Sequence, residues 1–396
     1  MSHVENEKPT AGQPHVKPRS ITMMRRLLPL LACLCLVASA HAAGDISREF
    51  PVSPGGRLDI DLRSGGSLDI NGWDRDVVSI EVMFRDCDPD DYTFDFDATK
   101  SGVRVRSEME RRVNRSNISM RIRVPDRFDL KLRTAGGGIS ISDVEGTFRG
   151  STAGGSIELE RLTGDIDLST GGGTVTVTDS HLDGEVTTGG GKVLVENVDG
   201  DFDANSGGGE VVFKNVSTPI RDYPKDQVHI RNAGGEIKVN DAPGGADVST
   251  GGGNVRIRSA NEFAIASTGG GDITINAVDG WVKATTGAGD VEVTMIGDPD
   301  KGRRDVSLLT GMGDVTLTVP RDLEMDIEVE IAYSKGKENK YRIVSDFDLE
   351  ETRTRTWDRS HGTPLKYIYG EARIGDGRNR ITIRTSHGNV YLKKGR

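Results

Sequence analysis

Apolar and polar residues alternate with a period of two along most of this chain, and from Thr134 onward the alternation restarts at fixed intervals. Each restart carries one phrase: Thr, Gly or Ala, Gly, Gly, any residue, then Ile or Val, with small variations. Its anchors are Thr134, Thr152, Thr170, Thr188, Ser206, Asn232, Thr250, Thr268, Thr286 and Thr310, spaced by 18, 18, 18, 18, 26, 18, 18, 18 and 24 residues. Five residues after every anchor stands a β-branched residue, from Ile139 to Val315. Two further on stands a second apolar one, from Ile141 to Leu317, and a polar residue follows, from Ser142 to Thr318. Such alternation is a strand with one buried face. A second short strand leads into the anchor, as in Ile166/Leu168, Phe202/Ala204, Val228/Ile230 and Val306/Leu308.

A fixed period of this kind denotes stacked supersecondary units. The pattern predicts an all-β protein, a parallel β-solenoid of about ten 18-residue rungs, with β-rich N- and C-terminal caps. At about 4.8 Å per rung, ten rungs make a rod about 48 Å long. A propeller or antiparallel sandwich would need repeats of about 40 residues or alternating turn types. The third residue after the anchor is Gly in every unit, from Gly137 to Gly313. Only glycine takes positive φ freely and admits close backbone approach, so a sharp repeated reversal is expected there.

The flanks bound the domains: a leader at 1–42, an N-terminal cap at 43–133, the solenoid at 134–320 and a C-terminal cap at 321–396. Arg25-Arg26 precede the apolar run Leu27 to Ala38, and small-residue cleavage sites follow at Ala38-Ser39-Ala40 and Ala40-His41-Ala42. That is a secretory signal peptide, too short to span a membrane. The polar residues ahead of it place the true start at Met23 or Met24. Leu30-Leu31-Ala32-Cys33 has the outline of a lipoprotein site, but processing there would leave an apolar Leu34 to Val37 on the mature chain. Cys33 and Cys35 leave with the signal, so only Cys87 remains and no internal disulfide is expected. The mature chain has no other apolar run of membrane-spanning length and is expected to be exported, periplasmic or extracellular.

Without the leader the chain carries 46 basic and 59 acidic residues. Residues 134–320 hold 14 basic and 28 acidic, whereas residues 104–133 hold 10 basic and 4 acidic. An acidic stack does not bind nucleic acid through its phosphates, so no nucleic-acid partner is expected. The basic stretch at 104–133 is a candidate for an anionic surface.

Leu58-Asp59-Ile60-Asp61-Leu62 with Gly65-Gly66 looks like one degenerate rung, and Thr385-Ser386-His387-Gly388-Asn389-Val390 returns to the repeat. With Phe50-Pro51-Val52 before Gly55-Gly56, the Val124-Pro125 strand and the closing Tyr391-Leu392, this pattern resembles the putative adhesin family of bacterial envelope β-strand-repeat proteins, a domain of unknown function (4097). The resemblance covers residues 46–396. It implies an exported envelope protein and brings no catalytic residues with it.

Residue chemistry points away from an enzyme. His181, His229, His361 and His387 are scattered, and no His-Glu-x-x-His, Gly-x-Ser-x-Gly or Walker loop is present. The glycine turns open strands, whereas phosphate cradling needs a loop that opens a helix. Asp165-x-Asp167 and Asp201-x-Asp203 put paired carboxylates outward on one face, able to hold a cation or to act on a sugar.

An acidic residue follows the glycine turn at Glu210, Glu236, Asp272, Asp290 and Asp314. Stacked one rung apart, Asp272, Asp290 and Asp314 form a candidate calcium ladder, although the Gly-Gly-x-Gly-x-Asp spacing of calcium-binding rolls is missing. No other cofactor is expected. The two long intervals place extra residues near 218–225 and 298–304, in the turn opposite the glycines. That makes Arg221, Tyr223, Lys225, Arg303 and Arg304 candidates for contact with a partner. The reading is a monomeric, non-enzymatic, exported rod that binds an envelope protein, glycan or surface ligand. The alternative is a polysaccharide-binding or polysaccharide-processing β-helix, calcium-dependent in one form.

Overall fold

A computed structural model describes residues 45–110, 118–217, 228–360 and 362–395. The leader expected at 1–42 lies outside them. The described residues form thirty strands and a single 3-10 turn at Pro89–Asp91, with no α-helix. No helix among them is long and apolar enough to cross a membrane, a statement that does not bear on strands.

The expected register is present in the pairings. Ile157–Glu160 lies parallel between Ile139–Ser142 and Val175–Thr188, with Ile157 opposite Ile139 on one side and Val175 on the other. The strands leading into the anchors pair likewise: Phe148 lies opposite Ile166, and Thr152 opposite Thr170. Each residue thus meets its equivalent 18 positions on. The two long intervals keep the pairing, Ser206 with Asn232 and Val282 with Val306, so their extra residues leave the register intact. Strands before and after the anchors form two ladders. Val175–Thr188, Val255–Thr268 and Ile273–Thr286 run through both and join all thirty strands into one hydrogen-bonded sheet.

Both apolar residues after each anchor are buried, from Ile139 and Ile141 to Val315 and Leu317. A rung therefore adds about four aliphatic side chains to the core, each worth about 1.5–3 kcal/mol when fully buried.

The anchor side chain itself bonds the turn together. Thr188 Oγ1 accepts the N–H of Gly191 at 3.0 Å and donates to Gly173 O of the preceding rung at 2.8 Å. The same donation joins Thr152 to Gly137, Thr170 to Gly155, Ser206 to Gly191, Thr250 to Gly235, Thr268 to Gly253, Thr286 to Gly271 and Thr310 to Gly289, at 2.7–2.8 Å. Asn232 reproduces it with an amide, Nδ2 donating to Gly209 O at 2.8 Å and Oδ1 accepting from Gly235 N at 3.3 Å. Only side chains that both donate and accept can stand here, which explains Thr, Ser and Asn.

Of the two causes expected for the glycines, close backbone approach holds at most positions and positive φ at few. Among the third glycines, positive φ occurs at Gly137 (108°) and Gly313 (152°). Elsewhere the cause is contact: a Cβ on Gly155 would lie 1.9 Å from Gly137 O, and one on Gly173 2.1 Å from Gly155 O. The middle residue has open space around it at Gly172 and Gly190, and Ala288 and Met312 fill that place in later units.

Both ends reuse the ladder before closing it. Thr134 Oγ1 donates to Gly66 O at 2.9 Å, and Leu58 pairs with Leu130, so residues 57–73 form a preceding rung. Beyond it the direction reverses: Tyr92–Thr99 pairs antiparallel with Gly102–Met109, and Val77–Phe84 antiparallel with Ile118–Pro125. Phe50 and Phe96, on the two outermost strands, stack at 6.1 Å across the end of the core. At the other end Thr385 Oγ1 donates to Gly313 O at 2.7 Å, and Asn379–Ser386 lies parallel to Val306–Thr310.

Candidate binding face

The strands that lead into the anchors turn alternate residues outward. On three successive ones these are Asp165 and Asp167, Asp183 and Glu185, and Asp201 and Asp203. Asp165 pairs with Asp183, Asp167 with Glu185, and Glu185 with Asp203. Six carboxylates therefore form a grid two wide and three deep. Asp183, Gly184, Glu185, Asp201 and Asp203 line an open recess over the backbone of Gly184. Gly184 stands in register between Ile166 and Phe202 but is exposed, with φ 120° inside the continuous strand Val175–Thr188.

The charge on this grid is largely unanswered. Among the described residues only Asp203 has a basic side chain within 4 Å, His229 Nδ1 at 3.5 Å, and Arg149 stands opposite Asp167 on the next strand. Asp183 Oδ1 accepts the backbone N–H of Asp201 at 2.7 Å. Adjacent carboxylates about 5 Å apart repel by about 1 kcal/mol in water, less with salt.

The same ladder is neutralised at its N-terminal end. There Asp95 and Asp97, Arg104 and Arg106, Asp59 and Asp61, and Lys131 and Arg133 occupy successive strands in alternating sign. Asp59 lies 3.6 Å from Arg104 and 3.7 Å from Lys131. The basic stretch at 104–133 thus interleaves with aspartates in its described part. Arg121 also pairs with Glu81 at 3.4 Å, and Arg127 with Glu145 at 3.1 Å.

The residues following the glycine turn are tied in two ways. Glu210 is held by Lys192 at 2.8 Å and by Lys238, which also reaches Glu236 at 3.1 Å; Arg256 pairs with Glu236 too. Hydrogen bonds from Lys192 and Lys238 keep the Glu210 carboxyl below its ordinary value. Asp272 Oδ1 instead accepts Asp290 N–H at 2.9 Å, Asp290 Oδ1 accepts Asp314 N–H at 2.7 Å, and Asp314 Oδ1 accepts Asn389 N–H at 2.7 Å. Each carboxylate of the candidate calcium ladder therefore spends one oxygen on the next rung. Among the described residues no group of three or more His, Cys, Asp or Glu side chains is arranged to hold a metal ion.

The partner-contact candidates separate. Arg221, Tyr223 and Lys225 lie outside the described residues. Arg303 pairs with Asp305 at 2.6 Å and covers Trp281 at 5.0 Å, whose other neighbour is Phe263 at 5.3 Å. Arg304 is not available to a partner: its side chain is 2% exposed and is bonded to Ile296 O, Asp298 O and Asp279. A cation in an insertion was expected at the surface, but this one folds back to satisfy carbonyls of its own loop. The described histidines stay apart, with His181 at Asp199, His229 at Asp203 and His387 at Ser334.

Sequence reasoning found Asp165, Asp167, Asp201 and Asp203 but missed Asp183 and Glu185 between them, because Gly184 hides the apolar marker of that strand. Their 18-residue offset from both pairs was the available signal. It also missed a ladder in the opposite turn, where Asp143, Arg161, Asp179, Asn197 and Asn215 all have φ between 50° and 62°. Asn197 Nδ2 donates to Asp179 Oδ1, and Asn215 Nδ2 to Asn197 Oδ1, both at 2.8 Å. The Arg161 guanidinium holds the Asp143 carboxyl below its usual range.

No family model matches this sequence, and no curated protein matches it. Solved structures similar to this chain include the following three. A putative cell adhesion protein from Clostridium sporogenes ATCC 15579 is 9% identical with a TM-score of 0.17, over 89% of this chain and 100% of that one. A putative adhesin from Bacteroides fragilis NCTC 9343 is 9% identical with a TM-score of 0.17, over 89% and 98%. A putative lipid binding protein from Parabacteroides distasonis ATCC 8503 is 11% identical with a TM-score of 0.33, over 68% and 94%. TM-scores this low give the likeness no weight for shape or role.

Proposed function

We propose that this chain is a non-enzymatic, exported cell-envelope protein whose 18-residue units coil as a β-solenoid and present a rigid face to a partner. The observation that carries this is the column of buried anchors. From Thr134 to Thr385, described hydroxyl or amide side chains tie each rung to the one before it. Such a column fixes the backbone and leaves outward positions free to vary, which suits a scaffold for recognition. The expected leader at 1–42 supports export, to the periplasm or beyond.

The partner that fits between Asp165 and Asp203 is cationic: a basic protein segment, or calcium bridging to an acidic glycan. Capture from native envelope tests this, comparing the intact protein with a variant carrying Asp167→Asn, Asp183→Asn, Glu185→Gln and Asp203→Asn, with and without calcium. A partner held by the first and released by the second is expected. Equal retention by both would move binding to another surface. Turnover of envelope polysaccharide by the purified protein would overturn the non-enzymatic reading.

A further inference from the structure

The longer interval before Thr310 has a use other than partner contact. Its extra residues leave the stack after Met295, return at Val306, and are organised around a buried cation. Arg304 donates from Nε to Asp298 O at 3.0 Å, from Nη1 to Ile296 O at 2.7 Å and from Nη2 to Asp279 Oδ1 at 2.6 Å. Gly297, at φ 89°, makes room for the Asp279 carboxylate, since a Cβ there would lie 2.3 Å from Asp279 Oδ1.

The loop then grips the strand that closes the stack. Arg304 N–H donates to Asn379 Oδ1 at 3.0 Å, and Asp305 Oδ1 accepts Arg380 N–H at 2.8 Å. Asn379 is 3% exposed and also donates from Nδ2 to Glu324 O at 2.9 Å. These contacts join one point of the stack to a strand 75 residues downstream, the register in which Val306 meets Ile381 and Thr310 meets Thr385.

We propose that residues 296–305 are a latch. It seats Asn379–Ser386 on the edge of Val306–Thr310 and so keeps that edge from taking the same strand from a second copy of this chain. An uncovered parallel edge is a template for pairing. The strand that fits it in register is Asn379–Ser386, and residues 320–324 are the short connection about which residues 325–394 would exchange. Release of the latch therefore opens the route by which a domain-swapped oligomer forms. The latch does not depend on what the protein binds.

Arg304→Ala tests it, with Arg127→Ala, which removes an exposed pair to Glu145 far from the loop, as the control, by hydrogen exchange and by light scattering over a concentration series. In Arg304→Ala, amides of Val306–Thr310 and Asn379–Ser386 should exchange about a hundredfold faster while those of Ile157–Glu160 keep their rate. The mass should rise from one chain to two with concentration. Arg127→Ala should do neither. Unchanged exchange at both strands would overturn the latch, and faster exchange in a chain that stays monomeric would overturn its guarding role. Should Arg304→Ala unfold throughout, Asn379→Ala, which spares the Arg304 side-chain bonds, decides by the same two readouts.

Discussion

Each 18-residue unit turns twice, and the two turns obey different rules. At the anchor turn, successive backbones touch and a buried hydroxyl passes hydrogen bonds from rung to rung, so the phrase recurs with almost no variation. At the opposite turn, five consecutive units need one residue with left-handed φ, and Asp, Arg and Asn all supply it. The described insertion, between Met295 and Val306, falls there too. Uniformity in a stack thus marks where neighbouring rungs share atoms, and variation marks where they share only a direction.

The widest separation should come from two adjacent glycines. Gly173→Val would drive a Cβ to 2.1 Å from Gly155 O, whereas Gly172→Ala meets nothing within 4 Å. Thermal melting should show the first losing about 3 kcal/mol or more and the second within about 0.5 kcal/mol of the parent. Equal losses would remove close contact as the cause of the conserved phrase within the chain. Next, Thr188→Val strands Gly173 O and Gly191 N inside the turn. Denaturant titration should show a loss of about 1–3 kcal/mol, most of it restored in Thr188→Ser.

The opposite turn is expected to respond to backbone geometry. Asn197→Val forces a β-branched residue to hold φ at 55° and should cost about 1–2 kcal/mol, while Asn197→Gly should stay near the parent. If Gly proves as harmful as Val, the side-chain ladder, rather than the dihedral, holds that corner.

The smallest effect concerns acid. Lys192 and Lys238 hold the Glu210 carboxyl below the ordinary 4.5, so its contribution is present above that value and is lost as pH falls through the lower folded one. The melting difference between the parent and Glu210→Gln should therefore shrink in strong acid. A difference that stays constant from neutral to strongly acid pH would show that the two lysines add nothing.

Much of the fold was legible because its signal is local and repeated. Ile157, Val175 and Val193 mark the same strand position in successive rungs, and period-two alternation marks their buried face. The anchors were visible as a pattern but not as a mechanism: nothing in Thr188 alone says that its hydroxyl reaches Gly173 across a rung. The candidate binding face was half visible. Asp165 and Asp201 flank an apolar residue as strand positions should, but Asp183 flanks Gly184 and falls out of the pattern. Arg304 was placed at the surface because insertions are exposed on average, and one chain position cannot show which carbonyls lie within reach.

The sequence by itself determined the all-β class, the 18-residue parallel register and the burial of the aliphatic pairs, since periodicity and side-chain volume are written along the chain. Only the tertiary structure decided how charges meet. The aspartates of the N-terminal strands find arginines and lysines, Asp165 stands opposite Asp183 and Asp203 opposite Glu185, and Arg304 finds the loop that seats Asn379. Such pairings join residues tens of positions apart, and strand order, which no local pattern encodes, is what brings them within a few ångströms.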